Sequence, residues 1–550
     1  MIDIKNVFSY PIDERYTKRV AYFSMEFAVD QALKIYSGGL GFLAGSHLRS
    51  AYELKQNLIG IGMLWKYGYY DQERDTNANM KSSYVEKNYS FLEDTGIVFT
   101  VPVHNSPVHV KAFLLRPEVF GSAPLFLLST DLPENDSLAR TITHRLYDSN
   151  EQTRIAQSII LGTGGAMLLD ILNYDTEVYH MNEGHSLSLN FYLYSKFRSL
   201  EEVKKRVVFT THTPEAAGNE EHSFGILKDM GFFYHLQEHE VRHLLGIDSW
   251  NLNYTLAALK FARRANAVSA MHGDVSRDMW NGNSGICEII SITNAQNKTY
   301  WADPVLDRAI AADDDTVILE RKRELKRMLF KEVANQTGKL FDENVLTVVW
   351  ARRFAAYKRA DLLMYNWGRF LSLINNAKYP IQVIWAGKPY PEDYGAIGLY
   401  NHIINRVKPI RNCAVLTGYE LGLSGLLKKG SDVWLNNPRL YREASGTSGM
   451  TAAMNGSINL SIPDGWIPEF AKDKENLFLI PTANQELYQE EKDKEEAMNL
   501  VDILEKEVLP MYYVNQSGWL SMLKRAARDV SPAFEAGRMA EEYYQKMYNY

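Results

Sequence analysis

The amino-acid sequence predicts an α/β protein built on parallel β-sheet. In the second half of the chain, short β-branched and apolar runs alternate with segments long enough for crossover helices, and this alternation is typical of parallel strands. Ligands on such sheets bind beyond the carboxyl ends of the strands, so the residues after each run are the first candidates for function. The predicted strands of this half lie at residues 345–350, 381–386, 414–417 and 432–435.

The first half of the chain has mixed character. Residues 206–211 predict a buried strand, and the apolar run 155–172 predicts a helix. The polar stretch 311–316 indicates a junction between domains, and residues 519–550 have a helical pattern. We therefore predict an N-terminal domain of residues 1–325, a C-terminal domain of residues 326–520, and a C-terminal helix, 521–550, that packs back on the N-terminal domain.

The composition excludes several classes of protein. Of 550 residues, 46% are hydrophobic and 23% are charged, and the net charge of -7 gives no global basic footprint for nucleic acid. Cys287 and Cys413 can build neither a disulfide framework nor a metal site. The first residues lack the pattern of a signal peptide, and the most apolar stretch, 155–169, is too short to cross a bilayer. We expect a cytoplasmic protein without nucleic-acid, membrane or metal partners.

Residues 36–41 (YSGGLG) form a glycine-rich stretch before a helix-like run at 42–52. Glycines allow backbone N–H groups to approach an anion closely, and the start of the following helix is electropositive. An ordinary tight turn has the same pattern, so this stretch alone leaves both interpretations open.

Four cations follow the predicted strand at 345–350, namely Arg352, Arg353, Lys358 and Arg359. Arginine suits bidentate contacts to phosphate, and lysine acts as a compact positive charge. A charge run is often a solvated surface, but the position beyond the carboxyl end of a strand also suits an anion site.

Residues 443–450 (EASGTSGM) combine a carboxylate with small hydroxyl residues and glycines, and they lead into an apolar helical run at 450–454. Glu443 and the backbone amides could bind sugar hydroxyls, and a capped helix start is the alternative. Two histidine segments, 181–185 and 209–215, have no HExxH-type spacing, which argues against a metal site.

Taken together, these segments resemble the α-glucan (glycogen and maltodextrin) phosphorylase family along almost the whole chain. The order and spacing of the motifs agree with that family, and the block at 443–450 is the most specific. The C-terminal motifs at 531–532, 538–539 and 542–543 resemble the short bacterial branch. The other matching motifs lie at residues 22–27, 37–41, 182–185, 211–214, 351–353, 357–359 and 386–388.

The resemblance implies two Rossmann-like domains that face each other across a cleft, as in glycogen phosphorylase and other GT-B proteins, with the glucan or acceptor on the N-terminal domain and phosphate and cofactor on the C-terminal one. It implies retaining phosphorolysis of α-1,4-glucan to glucose 1-phosphate, with α-glucan and phosphate or a sugar phosphate as partners. The oligomeric state stays open, a homodimer included.

The resemblance also implies roles for individual residues. The Gly39 amide, Arg353 and Lys358 would hold the substrate phosphate, and the carbonyl of His212 would stabilise the oxocarbenium-like sugar. The remaining implied residues are Asn294, His185, Glu443, Ser445 and Gly446 for the sugar, and Arg352, Thr447 and Tyr419 for pyridoxal phosphate.

One position departs from the family pattern. Thr451 stands where the family has the lysine that forms a Schiff base with pyridoxal phosphate, and residues 443–456 contain no lysine. A hydroxyl cannot form that imine, so we expect no covalent attachment of the cofactor. Three functions remain open: a phosphorylase with weakly or non-covalently held cofactor, a nucleotide-sugar-dependent retaining glucosyltransferase, and a non-catalytic glucan-binding pseudo-phosphorylase.

Overall fold

The computed structural model describes residues 4–550. Its β-strands, numbered in chain order, are β1 (Val20–Phe23), β2 (Leu58–Met63), β3 (Asp71–Arg74), β4 (Met80–Ser83), β5 (Glu93–Val103), β6 (Ser106–Leu115), β7 (Leu125–Ser129), β8 (Val178–Asn182), β9 (Val207–Thr210), β10 (Glu221–Ser223), β11 (Asn251–Asn253), β12 (Arg264–Ala267), β13 (Glu288–Ser291), β14 (Leu346–Ala351), β15 (Ile381–Ala386), β16 (Cys413–Leu416), β17 (Val433–Asn436), β18 (Ile458–Ser461) and β19 (Leu477–Leu479).

The α-helices, numbered in the same way, are α1 (Gly39–Glu53), α2 (Pro117–Phe120), α3 (Ser137–Thr141), α4 (Glu151–Ile159), α5 (Gly165–Ile171), α6 (Leu189–Phe197), α7 (Leu200–Lys204), α8 (Phe224–Asp229), α9 (Glu238–Leu245), α10 (Tyr254–Phe261), α11 (Ala270–Trp280), α12 (Lys298–Trp301), α13 (Pro304–Ala312), α14 (Asp315–Thr337), α15 (Trp367–Ile374), α16 (Tyr394–Val407), α17 (Leu421–Gly430), α18 (Ser448–Met454), α19 (Ile467–Phe470), α20 (Gln489–Ile503), α21 (Leu509–Val514), α22 (Gln516–Ala533) and α23 (Ala536–Tyr543).

The chain forms two compact units. Unit 1 comprises Met1–Tyr70, of which residues 4–70 are described, together with Tyr84–Asn297 and Ala536–Tyr550, and unit 2 comprises Asp71–Ser83 and Lys298–Glu535. No boundary between the two compact units lies at 325/326, because that position is inside α14. The polar stretch that predicted a junction is the turn between α13 and α14, where Asp313 adopts a left-handed conformation.

Unit 2 contains a six-stranded parallel sheet with the order β16-β15-β14-β17-β18-β19. The chain thus runs outward from β14 to one edge and then from β17 to the other, which is the strand order of a Rossmann fold. The order reverses between β14 and β17, and a crevice opens beyond the carboxyl ends of strands at such a point. The predicted strands of this half are confirmed to within one residue at each end.

Unit 1 contains a nine-stranded sheet with the order β13-β12-β9-β8-β1-β2-β7-β6-β5. Its strands are parallel from β13 to β7, and β5 and β6 complete it as an antiparallel hairpin against β7. Here the order reverses between β1 and β8. The C-terminal α23 packs within this unit, and the hydroxyl of Tyr544, which follows α23, lies 3.0 Å from the carbonyl oxygens of both Tyr16 and Lys18, which share its single hydrogen.

The apolar helix predicted at 155–172 is present but interrupted. Helices α4 and α5 are joined by one π-helical turn, Ile160–Gly164. A Cβ atom at Gly162 would collide with Ser188 Oγ and the Ser186 carbonyl, so glycine permits this close approach. Over residues 4–550 no helix is long and apolar enough to cross a membrane.

The core of unit 2 fixes the strand ends that carry the candidate residues. Side chains of β14, β15, β16 and β17 pack with α14 and α17 in one buried cluster, which includes Val349, Ala351, Trp434 and Tyr419. Because all of these residues are at most 9% exposed, the segments that leave the strands start from rigid positions.

Candidate functional site

In unit 2 the carboxylate of Glu443 lies between two cations. Its Oε2 atom is 3.3 Å from Arg352 Nη1 and 3.2 Å from Lys358 Nζ. Arg352 directly follows β14, and Glu443 lies on the segment after β17, so the pair meets at the reversal point of the sheet. The side chains of Arg352, Glu443 and Lys358 are 4%, 9% and 13% exposed, so the cluster is largely desolvated.

The electrostatics of this cluster favour an additional anion. Burial lowers the pKa of Lys358 to about 8, and the nearby Arg352 acts in the same direction, although Glu443 opposes both. Burial alone would raise the pKa of Glu443, but the charges of Lys358 and Arg352 outweigh it and hold that pKa below its ordinary value. Two buried cations therefore face one carboxylate, and Arg353 adds an exposed third positive charge.

The Glu443 segment is held in place by Asp464, which the sequence did not single out. The Asp464 carboxyl accepts from the backbone N–H groups of Arg442, Glu443 and Gly465 at 3.1, 3.0 and 2.8 Å. Burial raises the pKa of Asp464 to about 7. Gly465 has φ +62°, and a Cβ atom there would collide with the Ser445 carbonyl, so the two segments can approach this closely only with glycine.

The predicted sugar-binding residues Ser445 and Gly446 lie on the same segment. Gly446 has φ +83°, which favours glycine, and the buried Ser445 hydroxyl has no hydrogen-bond partner among residues 4–550. Thr447 is the N-cap residue of α18 but makes no side-chain capping bond. The Ser445 hydroxyl is therefore a polar group that the described protein atoms leave unused.

The residues implied for pyridoxal phosphate fit an anion but do not fit a Schiff base. Arg352 donates to Ser448 Oγ at 3.2 Å, and its buried Nε has no partner among the described residues. Thr451 is fully buried, and its hydroxyl donates to the Ser448 carbonyl at 3.0 Å. No amine stands at that position, and Lys358 and Lys388 are paired with Glu443 and Glu420.

Tyr419, implied for the cofactor ring, lies in the core of unit 2. Its hydroxyl donates to the Ala351 carbonyl at 3.3 Å and accepts from Ser424 Oγ at 3.3 Å. Its ring shares the buried cluster with Trp434 and Ala452. Tyr419 thus lies close to the last residue of β14, Ala351, which directly precedes Arg352 in the chain.

In unit 1 the carboxylate of Glu26 holds the glycine-rich segment. It accepts from Ser37 N at 2.6 Å, from Gly38 N at 3.1 Å and from the Tyr147 hydroxyl at 2.7 Å. A Cβ atom at Gly41 would lie 2.7 Å from Glu26 Oε2, so glycine is needed for this approach. Gly39 starts α1 and is exposed, which leaves its N–H group accessible.

A second carboxylate of unit 1, Glu183, holds the segment around His212. Its Oε2 accepts from His212 N at 2.8 Å, and its own backbone is in the left-handed region with φ +70°. The His212 ring lies 2.7 Å from Asn182 Oδ1, which makes Nε2 the protonated nitrogen. Burial lowers the pKa of His212 to about 3 and raises the pKa of Glu183 to about 7.

The remaining predicted residues of unit 1 are His185 and Asn294. The His185 ring lies 5.6 Å from the Tyr147 ring, and burial lowers its pKa. His185 Nδ1 and Asn294 Oδ1 are buried without hydrogen-bond partners in the described part of the chain. Like Ser445, they offer unused polar atoms.

The sequence assigned no role to Glu26, Glu183 or Asp464, although the first two lie within the matching motifs at 22–27 and 182–185. Each follows the end of a parallel strand by one to three residues, namely β1, β8 and β18. A carboxylate at that position could have been predicted to have a structural role, because it can orient the segments that follow neighbouring strands. Within residues 4–550 no group of three or more His, Cys, Asp or Glu side chains could hold a metal ion.

Comparison with known proteins places these features in context. The family model for carbohydrate phosphorylase matches residues 275–522. The chain is 46% identical to the uncharacterized protein MJ1631 of Methanocaldococcus jannaschii, over 96% of this chain and 100% of that protein. It is 32% identical to the maltodextrin phosphorylase of Thermococcus litoralis, over 98% of this chain and 71% of that protein. It is 30% identical to the glycogen phosphorylase of Aquifex aeolicus, over 98% of this chain and 87% of that protein.

Proposed function

The chain belongs to the carbohydrate phosphorylase family, and from this membership we propose that it is a retaining hexosyltransferase that cleaves α-1,4-glucan with phosphate without a lysine-bound cofactor. In that reaction the bond from C1 of the terminal glucose to the glucan oxygen breaks, and C1 joins a phosphate oxygen. The departing glucan hydroxyl takes a proton from the phosphate, and the products are glucose 1-phosphate and a shortened glucan.

The observation that carries this proposal is the buried cluster of Arg352, Lys358 and Glu443 at the reversal point of the sheet in unit 2. An unused buried cation cluster is costly, since desolvated charges need partners. Lys358 and the exposed Arg353 would bind the phosphate dianion through charge-assisted hydrogen bonds. Glu443 stays ionised beside its two cations, so it can accept hydrogen bonds from sugar hydroxyls.

In unit 1 the family pattern assigns roles to two backbone groups, and a carboxylate of the same unit holds each segment. Glu26 orients the segment that ends at Gly39, whose N–H group would donate to an anion. Glu183 accepts from the His212 N–H and from the Thr213 hydroxyl, on either side of the His212 carbonyl, and that carbonyl would stabilise positive charge that develops on the sugar. The neutral state of the His212 ring prevents it from adding a competing positive charge.

The family's cofactor would be held here only without a covalent bond. Pyridoxal phosphate supplies a second phosphate to the reaction in this family, and Arg352, Thr447 and Tyr419 are the residues that would receive it. Loss of a covalent tether removes an effective concentration on the order of millimolar, so free cofactor would exchange readily.

Thr451 favours a second candidate function. With no imine to form, the space beside the Arg352 guanidinium could take one phosphate of a diphosphate, while Lys358 takes the other. The protein would then be a nucleotide-sugar-dependent retaining glucosyltransferase. A pseudo-phosphorylase that only binds glucan is the remaining alternative.

A donor comparison tests these functions. Purified protein is incubated with maltodextrin and phosphate, with and without added pyridoxal phosphate, and glucose 1-phosphate is measured. Parallel reactions contain maltodextrin and a nucleoside diphosphate glucose, and release of nucleoside diphosphate is measured. We expect phosphorolysis that Arg353→Gln removes and that the matched exposed variant Arg411→Gln retains. Nucleotide release without phosphorolysis would establish the second function, and inactivity in every reaction would leave glucan binding alone.

A further inference from the structure

Unit 2 contains a cavity of about 220 Å³ outside the cluster of Arg352, Lys358 and Glu443. It lies at the edge strand β16, between the β3–β4 hairpin and the C-terminal ends of α14 and α16. Arg74, Lys339 and Lys408 line it, and none of the described residues around it is a carboxylate. Its other wall is apolar and includes Val407 and Val415.

The positive charge of this cavity is not neutralised by its surroundings. The Lys339 ammonium donates to the carbonyls of Val407, Ile410 and Cys413 at 3.0, 2.8 and 2.7 Å, so it caps the end of α16 but meets no carboxylate. The lining residue Gln336 donates to the Glu332 carboxylate at 2.8 Å, and Glu332 does not itself line the cavity.

Arg74 has donors to spare. One of its terminal nitrogens donates to the Val415 carbonyl, and its Nε is buried without a hydrogen-bond partner among residues 4–550. A buried donor without a partner is costly, and a bound anion would satisfy it. Lys408 also lines the cavity, is exposed, and adds a further positive charge.

The same hairpin contacts two further segments of unit 2, one of which carries the candidate site residue Tyr419. Gln72, two residues before Arg74, donates to the Gly387 carbonyl at 2.9 Å and accepts from Gly418 N at 2.9 Å. Gly387 precedes Lys388, and Gly418 precedes Tyr419. A ligand that holds the hairpin would therefore also steady both segments.

We propose that this cavity is a second anion site, which takes the phosphate monoester of a small metabolite, with its dianion on Arg74 and its organic part against the apolar wall. The volume is below the range of about 300–1,000 Å³ that is usual for drug-sized ligands, in keeping with a small ligand. Occupation of the site would restrain the segments at Gly387 and Gly418. The proposal is independent of the reaction at Glu443.

Calorimetric titration of the full chain with phenyl phosphate and with inorganic phosphate tests this site. The variants are Arg74→Gln, Lys408→Gln and, as a matched control on the same hairpin, Lys81→Gln, whose side chain is exposed and does not line the cavity. The variant Arg353→Gln alters the site at Glu443 but not the cavity, so it distinguishes binding at one from binding at the other. Amide hydrogen exchange at residues 386–388 and 417–420 reports on the restrained segments.

We expect Arg353→Gln to retain binding of phenyl phosphate at the cavity, and Lys81→Gln to bind phenyl phosphate as the unaltered chain does. Arg74→Gln should weaken that binding roughly ten- to hundredfold, as expected for loss of a charged hydrogen bond, and Lys408→Gln should weaken it in the same direction. Phenyl phosphate should slow exchange at both segments only where Arg74 is present. The proposal is overturned if Arg353→Gln abolishes all binding, or if Lys408→Gln, which cannot disturb the core, and Arg74→Gln both bind normally.

Discussion

Replacing Glu443 by glutamine should destabilise the protein and at the same time strengthen its affinity for phosphate. In the structure the carboxylate is the partner of two buried cations, Arg352 and Lys358. Glutamine keeps the shape but removes the negative charge, so both cations lose their compensation. An added phosphate dianion can then take the place of the carboxylate.

The expected loss of unfolding free energy follows from the burial of the ion pairs that Glu443 makes with Arg352 and Lys358. Removing one partner of a buried ion pair costs ~3 kcal/mol or more, because the remaining charge stays desolvated. We therefore expect Glu443→Gln to lower the free energy of unfolding by ~3 kcal/mol in phosphate-free buffer. Phosphate at about 100 times its dissociation constant should restore ~2.7 kcal/mol, which is nearly the whole loss. Turnover should nevertheless be abolished, since the sugar hydroxyls lose their charged acceptor.

The assay is urea unfolding with and without phosphate, together with a phosphate titration. The exposed variant Glu486→Gln, also in unit 2, is the matched control and should behave as the unaltered chain. The reasoning is refuted if Glu443→Gln unfolds at the same urea concentration as the control, or if phosphate stabilises it less than it stabilises the control.

Three further predictions concern single groups. Affinity for sulfate, whose charge is constant in this range, should fall as the pH rises through about 8, because only protonated Lys358 attracts it; Lys358→Met should give a weak, flat profile by calorimetry. Glu26→Gln should raise the KM for phosphate at least tenfold, while Tyr147→Phe, which removes one donor to Glu26, should raise it less; equal effects would contradict the role of Glu26 as an anchor. Because burial raises the pKa of Glu183 to about 7, its contribution to stability is full below its unfolded pKa near 4.5 and declines as the pH rises through 7; Glu183→Gln should remove that decline in urea unfolding, and an unchanged pH profile would exclude it.

The strands and the candidate cluster of unit 2 could be predicted because local patterns determine them. β-Branched runs in the sequence predict the buried strands. Arg352 and Glu443 follow the ends of two neighbouring strands, and the strand order of the sheet reverses between those strands. The pattern does not show how the burial of adjacent residues differs: Arg352 is buried, whereas Arg353 is exposed.

Other features depend on long-range packing, which a single sequence does not display. Asp464 orients Glu443 from a different strand, and Glu183 orients His212 from a neighbouring one. The hairpin at Asp71–Ser83 belongs to unit 2, although the chain on both sides of it belongs to unit 1. Nothing in the local pattern of residues 71–83 indicates that this hairpin belongs to unit 2, because its placement results from contacts such as that of Gln72 with Gly387.

We propose that the site binds phosphate and sugar as in the family but holds pyridoxal phosphate without a covalent bond. Mass measurement of the intact protein after incubation with pyridoxal phosphate and borohydride reduction tests this proposal most directly, with Thr451→Lys as the comparison. We expect no adduct on the unaltered chain, since Thr451 offers only a hydroxyl, and one adduct at position 451 in the variant, since Arg352 donates to Ser448 on the same helix. A reduced adduct mapped to any lysine of the unaltered chain, or a variant that forms none, would contradict the proposal.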